Sequence, residues 1–179
     1  NVIKSLPSGK ILCGGGVYHQ MGSYTKYFKQ INSDGSVDTT FNTDISVNGL
    51  TVGRGAGAVA SNAALGATAL NANTFGNYNV AVGSEALQRN TGGSVNVALG
   101  AATIDYLTSG NNNTAVGGFA GRNYGPNGGA TGNNTTMNNG ILLGYDARPL
   151  TSGGTDEVVI GMRAIGHGSN TVTLGNSSN

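Results

Sequence analysis

The 179-residue chain carries nine Lys and Arg against eight Asp and Glu, a net charge of +1, and its 9% of charged residues lies far below the roughly 25% of an ordinary soluble domain. Charge this sparse and balanced leaves no basic stripe for nucleic acid and no polybasic patch for a membrane surface, and no apolar run approaches the roughly 20 residues that span a bilayer. The 32 glycines follow no Gly-X-Y period, which excludes collagen, and the lone Cys13 excludes an internal disulfide.

Residues 1–44 hold the lysines and much of the aromatic content, and are expected to form a separate small antiparallel β unit. Lys10–Cys13, Tyr27–Ile31 and Val37–Phe41 are predicted as short strands, broken at Gly14-Gly15-Gly16 and at Ser33-Asp34-Gly35-Ser36. Asp34-Gly35 is a hairpin cue, because Gly accepts the positive φ of a tight turn. Asn32, Asp34 and Asp38 place oxygens near that turn as calcium loops do, but without the distal bidentate Glu, so the hairpin reading is preferred. The glycine run lacks the Lys-Ser/Thr partner of a phosphate loop. Cys13 reads as a small buried hydrophobe rather than a reactive thiol. The spacing of Leu6-Pro7-Ser8-Gly9-Lys10-Ile11-Leu12, Gly14–Val17 and Gln30–Asn42 resembles one copy of the delta-60 repeat, a family of tandem, propeller-like β units. The resemblance implies that other copies complete the sheet, since one blade alone exposes its edges.

From Gly49 onward a repeat takes over. Asn79-Val80-Ala81-Val82-Gly83 returns as Asn96-Val97-Ala98-Leu99-Gly100 and as Asn113-Thr114-Ala115-Val116-Gly117, and Asn62-Ala63-Ala64-Leu65-Gly66 extends it backwards with the same spacing. A fixed period of this kind marks stacked coils. Aligned on the closing glycine, large aliphatics alternate with a small residue, from Leu50-Thr51-Val52 through Val172-Thr173-Leu174, so both faces of each strand are apolar. One face is expected to fill the coil and the other to meet another surface. A second register, Ala69-Leu70, Ala86-Leu87, Thr103-Ile104, Ala120-Gly121, Ala147-Arg148 and Ala164-Ile165, is predicted as a short strand or a single helical turn. The Asn-, Thr- and Gly-rich connections are expected to stack their amides from coil to coil. Extra residues near 122–135 read as an inserted loop within a shaft spanning 45–179, and the last interval shortens.

Asn-x-Ala-Val/Leu-Gly followed by x-x-Ala-Leu-x-x-Asn-Thr-Gly resembles the head repeats of trimeric autotransporter adhesins, and more closely a longer variant in bacteriophage tail fibres. That resemblance implies a mainly β fold, a left-handed parallel β-roll or β-solenoid, as an intertwined or side-by-side homotrimer. The ending Thr171–Asn179 is similar to the stretch that precedes a self-cleaving chaperone domain in many phage fibres, and the chain is expected to be a piece of something longer.

No catalytic constellation is apparent, and no enzyme, metal or cofactor is expected. His19 and His167 lack ligand-type neighbours and read as polar surface or turn residues. Asp156-Glu157 reads as a solvated turn rather than half of a hydrolase carboxylate pair. Tyr124, Asn127, Asn133 and Asn134 in the insertion are the candidate receptor-contact residues. The expected function is a structural and host-recognition fibre segment in a virion tail or at a cell surface. Expected partners are two further copies of the chain, other tail proteins and a host-surface glycan or outer-membrane receptor. A bacterial adhesin head and a glycan-cleaving tailspike are the alternatives.

Overall fold

The computed structural model describes residues 2–5, 11–18, 24–31, 45–47, 50–125 and 132–175, which divide between two compact units, Asn1–Thr43 and Asp44–Asn179. In the first unit β1 (Val2–Ser5), β2 (Ile11–Tyr18) and β3 (Tyr24–Ile31) form an antiparallel sheet in that order. The glycine run does not end a strand: Gly14, Gly15 and Gly16 lie inside β2 and pair with Phe28, Tyr27 and Lys26. A ladder is made by backbone groups, which glycine supplies as any residue does once a long partner strand holds it in place. The Val37–Phe41 strand, the Asp34-Gly35 hairpin, the Asn32–Asp38 oxygen cluster and His19 fall outside the described residues.

The second unit is a parallel β-solenoid. Strands β6 (Ala63–Leu65), β7 (Val80–Val82), β8 (Val97–Leu99), β9 (Thr114–Val116), β12 (Ile141–Leu143), β13 (Val158–Ile160) and β14 (Val172–Leu174) stack side by side. Equivalent motif positions are directly paired, as in Ala64 with Ala81, Ala81 with Ala98 and Ala98 with Ala115. Seven strands are joined by six turns. Between β9 and β12 the inserted loop carries its own antiparallel pair, β10 (Asn123–Tyr124) and β11 (Gly132–Asn133). Among the described residues there is no α-helix, only a 3-10 turn at Ala56–Ala58.

Leu50-Thr51-Val52 does not open the parallel stack as its glycine alignment suggested. It belongs to β5 (Leu50–Gly53), which runs antiparallel to both β6 and β4 (Ile45–Val47). From Gly53 to Gly66 there are 66 − 53 = 13 residues, four short of a full coil. The chain therefore reverses, which an antiparallel pair permits without a crossover. The reversed pair covers the first edge of the parallel sheet, which would otherwise offer unpaired N–H and C=O groups.

Inside each coil sits the small middle residue of the strand. Ala64, Ala81, Ala98, Ala115, Leu142 and Val159 are buried, while the flanking aliphatics Leu65, Leu99, Val116, Ile160 and Leu174 point outward. Across the interior stand Leu70, Leu87 and Ile104 with Ala69, Ala86, Ala120, Ala147 and Ala164. In the last two coils this second register pairs as a parallel β-bridge, Arg148 with Ile165, but in the earlier coils it is neither strand nor helix. It is a tight turn with left-handed backbone at Leu70, Leu87 and Ile104 (φ 50, 49 and 40), held to the next coil by Leu70 N–H to Ala86 O and Leu87 N–H to Thr103 O. The interior is one alanine plus one leucine wide, and the later coils keep that width by exchange. Gly121 stands where Leu87 and Ile104 stood, and a Cβ there would meet both Ile104 and the Leu142 side chain that replaces the strand alanine.

The third wall is an amide ladder. Asn79 N–H donates to Asn62 Oδ1 (2.9 Å), Asn96 N–H to Asn79 Oδ1 (2.9 Å), Asn113 N–H to Asn96 Oδ1 (3.1 Å) and Gly140 N–H to Asn113 Oδ1 (2.8 Å). Each Nδ2 reaches across to a carbonyl of its own coil: Gly76, Gly93, Gly110 and Met137. These asparagines are buried, so every amide group has to find a partner, and here the spacing provides one. A second ladder runs from Asn73 to Asn90 (3.1 Å) and stops at Leu107, leaving Asn90 Oδ1 without a partner.

Candidate functional site

Most charged side chains of the solenoid lie within six residues after a closing glycine, and register stacks them along one edge. The stacking is carried by backbone bonds: Phe119 N–H to Ala101 O, Asp146 N–H to Gly118 O, Arg163 N–H to Tyr145 O and Arg89 N–H to Asp105 O, each 2.8–2.9 Å. The same edge gathers Tyr106, Phe119 and Tyr145.

At its centre Asp105 is buried, with 1% of its side chain exposed, between Arg89 Nη1 (3.3 Å) and Arg122 Nε (3.4 Å). Both guanidiniums also lie over Tyr106, at 4.1 and 5.4 Å from the ring centre, and Arg122 lies 5.3 Å from the centre of Phe119. Phe119 in turn meets Tyr145 edge-on at 5.6 Å. Burial pushes the Asp105 carboxyl up to about 6, against the opposing pull of Arg122 and Arg89, with Glu85 adding to the rise. The carboxylate faces inward while the arginines keep outer surface: 47% of the Arg89 side chain and 30% of Arg122 are exposed.

Two coils further on, Arg148 and Asp146 form a bidentate pair, Nε to Oδ1 at 2.8 Å and Nη2 to Oδ2 at 2.5 Å. That hydrogen bonding holds the Arg148 pKa above its ordinary value. Arg148 occupies the inward register of Leu87 and Ile104, and escapes the apolar interior by turning to its carboxylate. With Arg163 and Ile165 the pair lines a cavity of about 340 Å³.

The candidate receptor-contact residues differ in placement and exposure. Tyr124 is half-buried on β10 opposite Gly132, where a Cβ would meet its ring, and Asn133 is exposed on β11. Asn134 is fully buried, its Nδ2 donating to Gly121 O at 3.1 Å, and so supports the loop from within. Asn127 falls outside the described residues. His167 is exposed and pairs Nδ1 with Thr173 Oγ1 at 2.9 Å.

Asp156-Glu157 is only half a solvated turn. Asp156 is exposed and accepts from Asn139 Nδ2 (2.9 Å), but Glu157 is buried in the column of the amide ladder. Its Oε1 accepts from Leu150 N–H (3.2 Å) and Gly168 N–H (2.9 Å). The strand that follows fixes this, since Val158 takes the outer position that Val80 and Val97 take after their inward asparagines. Among the described residues no three His, Cys, Asp or Glu side chains are placed to hold a metal ion.

The Arg89–Tyr106–Arg122 cluster was not singled out from sequence. Counting from the closing glycine reveals it, because Asp105 and Arg122 both fall five residues on, and Arg89 and Tyr106 six.

Compared with known proteins, residues 6–41 match a family model described as a domain of unknown function (DUF5122) β-propeller. The matched span lies within the first unit, where a propeller-like repeat was read. No curated protein and no solved structure matches the chain.

Proposed function

We propose that this chain is a segment of a homotrimeric host-recognition fibre, a virion tail fibre in particular, whose solenoid serves as a shaft. The observation that carries the reading is the outer face of the parallel sheet. Leu65, Leu99, Val116, Ile141, Ile160, Val172 and Leu174 are exposed there, and Val80 and Val82 of β7 lie half-buried in the same face. Seven strands about 4.8 Å apart make this stripe ~29 Å long, and contiguous apolar surface on that scale marks an interaction site. A lone sheet with one apolar face in water is poorly stabilised, and closed rotational symmetry covers the same stripe in every copy at once. The resemblance of the repeat to trimeric adhesin heads favours three copies.

Sedimentation velocity of the intact protein tests this, with the mass of three chains as the expected result. A stable monomer at micromolar concentration refutes it. Val116→Glu, on the outer face, is expected to give folded monomers. Ala81→Glu acts differently, because Ala81 faces the coil interior rather than a neighbouring chain, and unfolds the coil itself.

A further inference from the structure

The edge that follows the closing glycines has a spacing of its own. Arg89, Arg122 and Arg163 follow Gly83, Gly117 and Gly161, so successive arginines stand two coils apart. At about 4.8 Å per coil that is ~9.6 Å along the stack from one to the next; Arg89 and Arg122 stand six and five residues after their glycines, and Arg163, two residues after its own, stands in the neighbouring column. Between them, in the intervening coils, stand Tyr106 and Tyr145, and Phe119 links the two halves through Arg122 on one side and Tyr145 on the other. Cation, aromatic face, cation, aromatic face and cation therefore alternate obliquely along the shaft over ~19 Å.

Of the acidic side chains in the strip only Glu85, two residues after Gly83, stays exposed, one carboxylate against the three arginines. Asp105 is buried under Arg89 and Arg122, and Asp146 is taken up by Arg148. Arg163 is exposed at the mouth of the 340 Å³ cavity, with no side-chain partner among the described residues.

We infer that this strip binds an acidic polysaccharide laid along the fibre axis, with a carboxylate on alternate sugars meeting successive arginines and a neutral ring between Arg122 and Arg163 lying against the exposed Tyr145. Guanidinium matches carboxylate with paired N–H donors, and the apolar faces of a pyranose suit tyrosine and phenylalanine. A two-coil step is about two sugar rings long, which is the repeat of a glycan charged on every second unit. Nucleic acid fits less well, since its phosphates recur every ~3.4 Å along a strand and call for denser positive charge. A bilayer surface calls for a polybasic cluster that the strip lacks. The inference rests on the host-recognition reading and names the class of its receptor.

The test titrates the intact protein, its mass measured in the same sample, with hyaluronan oligosaccharide, neutral dextran oligosaccharide, oligo-dT and anionic phospholipid vesicles. Saturable binding of hyaluronan with no binding of dextran is expected, weakening as salt rises from ~0.05 to ~0.5 M. Arg89→Gln combined with Arg163→Gln is expected to weaken it about tenfold or more, and Arg163→Gln alone, whose side chain is exposed and outside the Asp105 ion pairs, to weaken it with an unchanged melting temperature. No hyaluronan binding up to ~10 mM, equal binding of dextran, undiminished binding by the double variant, or tighter binding of oligo-dT or vesicles each overturns the inference. A trimer that fails this titration leaves the fibre reading intact, while a monomer that passes it overturns the fibre reading and keeps the site.

Discussion

The amide ladder supplies the most demanding test of why the coils hold together. In Asn96→Ala, Oδ1 no longer accepts from Asn113 N–H (3.1 Å) and Nδ2 (2.9 Å), and Nδ2 no longer donates to Gly110 O (2.8 Å) and Asn79 Oδ1 (3.1 Å). Two of the four partners retain other bonds: Asn79 Oδ1 keeps Asn96 N–H, and Asn113 Nδ2 keeps Met137 O. The Asn113 N–H and the Gly110 carbonyl are left buried and unpaired. At about 1–3 kcal/mol for each orphaned group the expected loss is about 2–6 kcal/mol. Asn96→Asp, the same shape with both donors removed and a buried charge added, is expected to cost at least as much. Asn112→Gly is the control. Asn112 is exposed, donates to Asn139 Oδ1 (3.1 Å), and has a left-handed φ of 58 that glycine accepts, so its loss is expected to stay within about 0.5 kcal/mol. Urea unfolding at one fixed protein concentration reads all three, since an oligomer's midpoint moves with concentration. An Asn96→Ala protein within about 1 kcal/mol of the parent, or one no worse than Asn112→Gly, would falsify the ladder as a source of stability.

Other substitutions probe the backbone and the buried acid. Val95 is a β-branched residue at φ 61, in a column where other coils place Asn112, Asn139, Asp156 and Asn170 at similar angles. Val95→Asn is expected to raise stability by about 1 kcal/mol, read as a higher urea midpoint; a lower one refutes the strain argument. Gly83 has φ 131, and a Cβ there would run into the Gly100 carbonyl, so Gly83→Ala is expected to cost about 2–5 kcal/mol. Gly92 faces open space, and Gly92→Ala is expected to stay within about 0.5 kcal/mol, so equal melting temperatures for the two variants would contradict the account. Asp105 binds its proton more tightly folded than unfolded, so its burial is harmless below about pH 3.8 and becomes a full penalty above about pH 6. A rise from 3.8 to about 6 corresponds to at most about 3 kcal/mol. Asp105→Asn is therefore expected to melt above the parent at pH 7 and to lose that advantage as the pH falls from 6 to 4; a constant gap across that range sinks the idea.

The parts of this fold that the sequence discloses are those the backbone dictates. From Gly66 to Gly117 the closing glycines recur at one spacing, each stacking on the next with no room for a side chain, so over those coils the fixed period and the parallel register are one fact. The direction of the side chains was not readable, because alanine between two valines suits a tight neighbour as well as a narrow interior. Only coil width decides it, and that width is set by what stands opposite, as the exchange of Leu87 and Ala98 for Gly121 and Leu142 shows. Leu50-Thr51-Val52 misleads for the same reason, since its side-chain pattern is right and only the short distance to Gly66 reverses its direction. The candidate site was hidden differently. Residues such as Arg89, Tyr106 and Arg122 form no motif along the chain, being 17 and 16 residues apart, and become neighbours only when positions are counted from the glycine of each coil. In a solenoid that count serves as a second coordinate. Isolated charges in a nearly uncharged repeat belong to one surface when their counts agree, and here the counts place arginine and aromatic residues on one edge while the strands keep the other face apolar. A solenoid that separates an apolar face from a polar edge in this way can bury the first without covering the second.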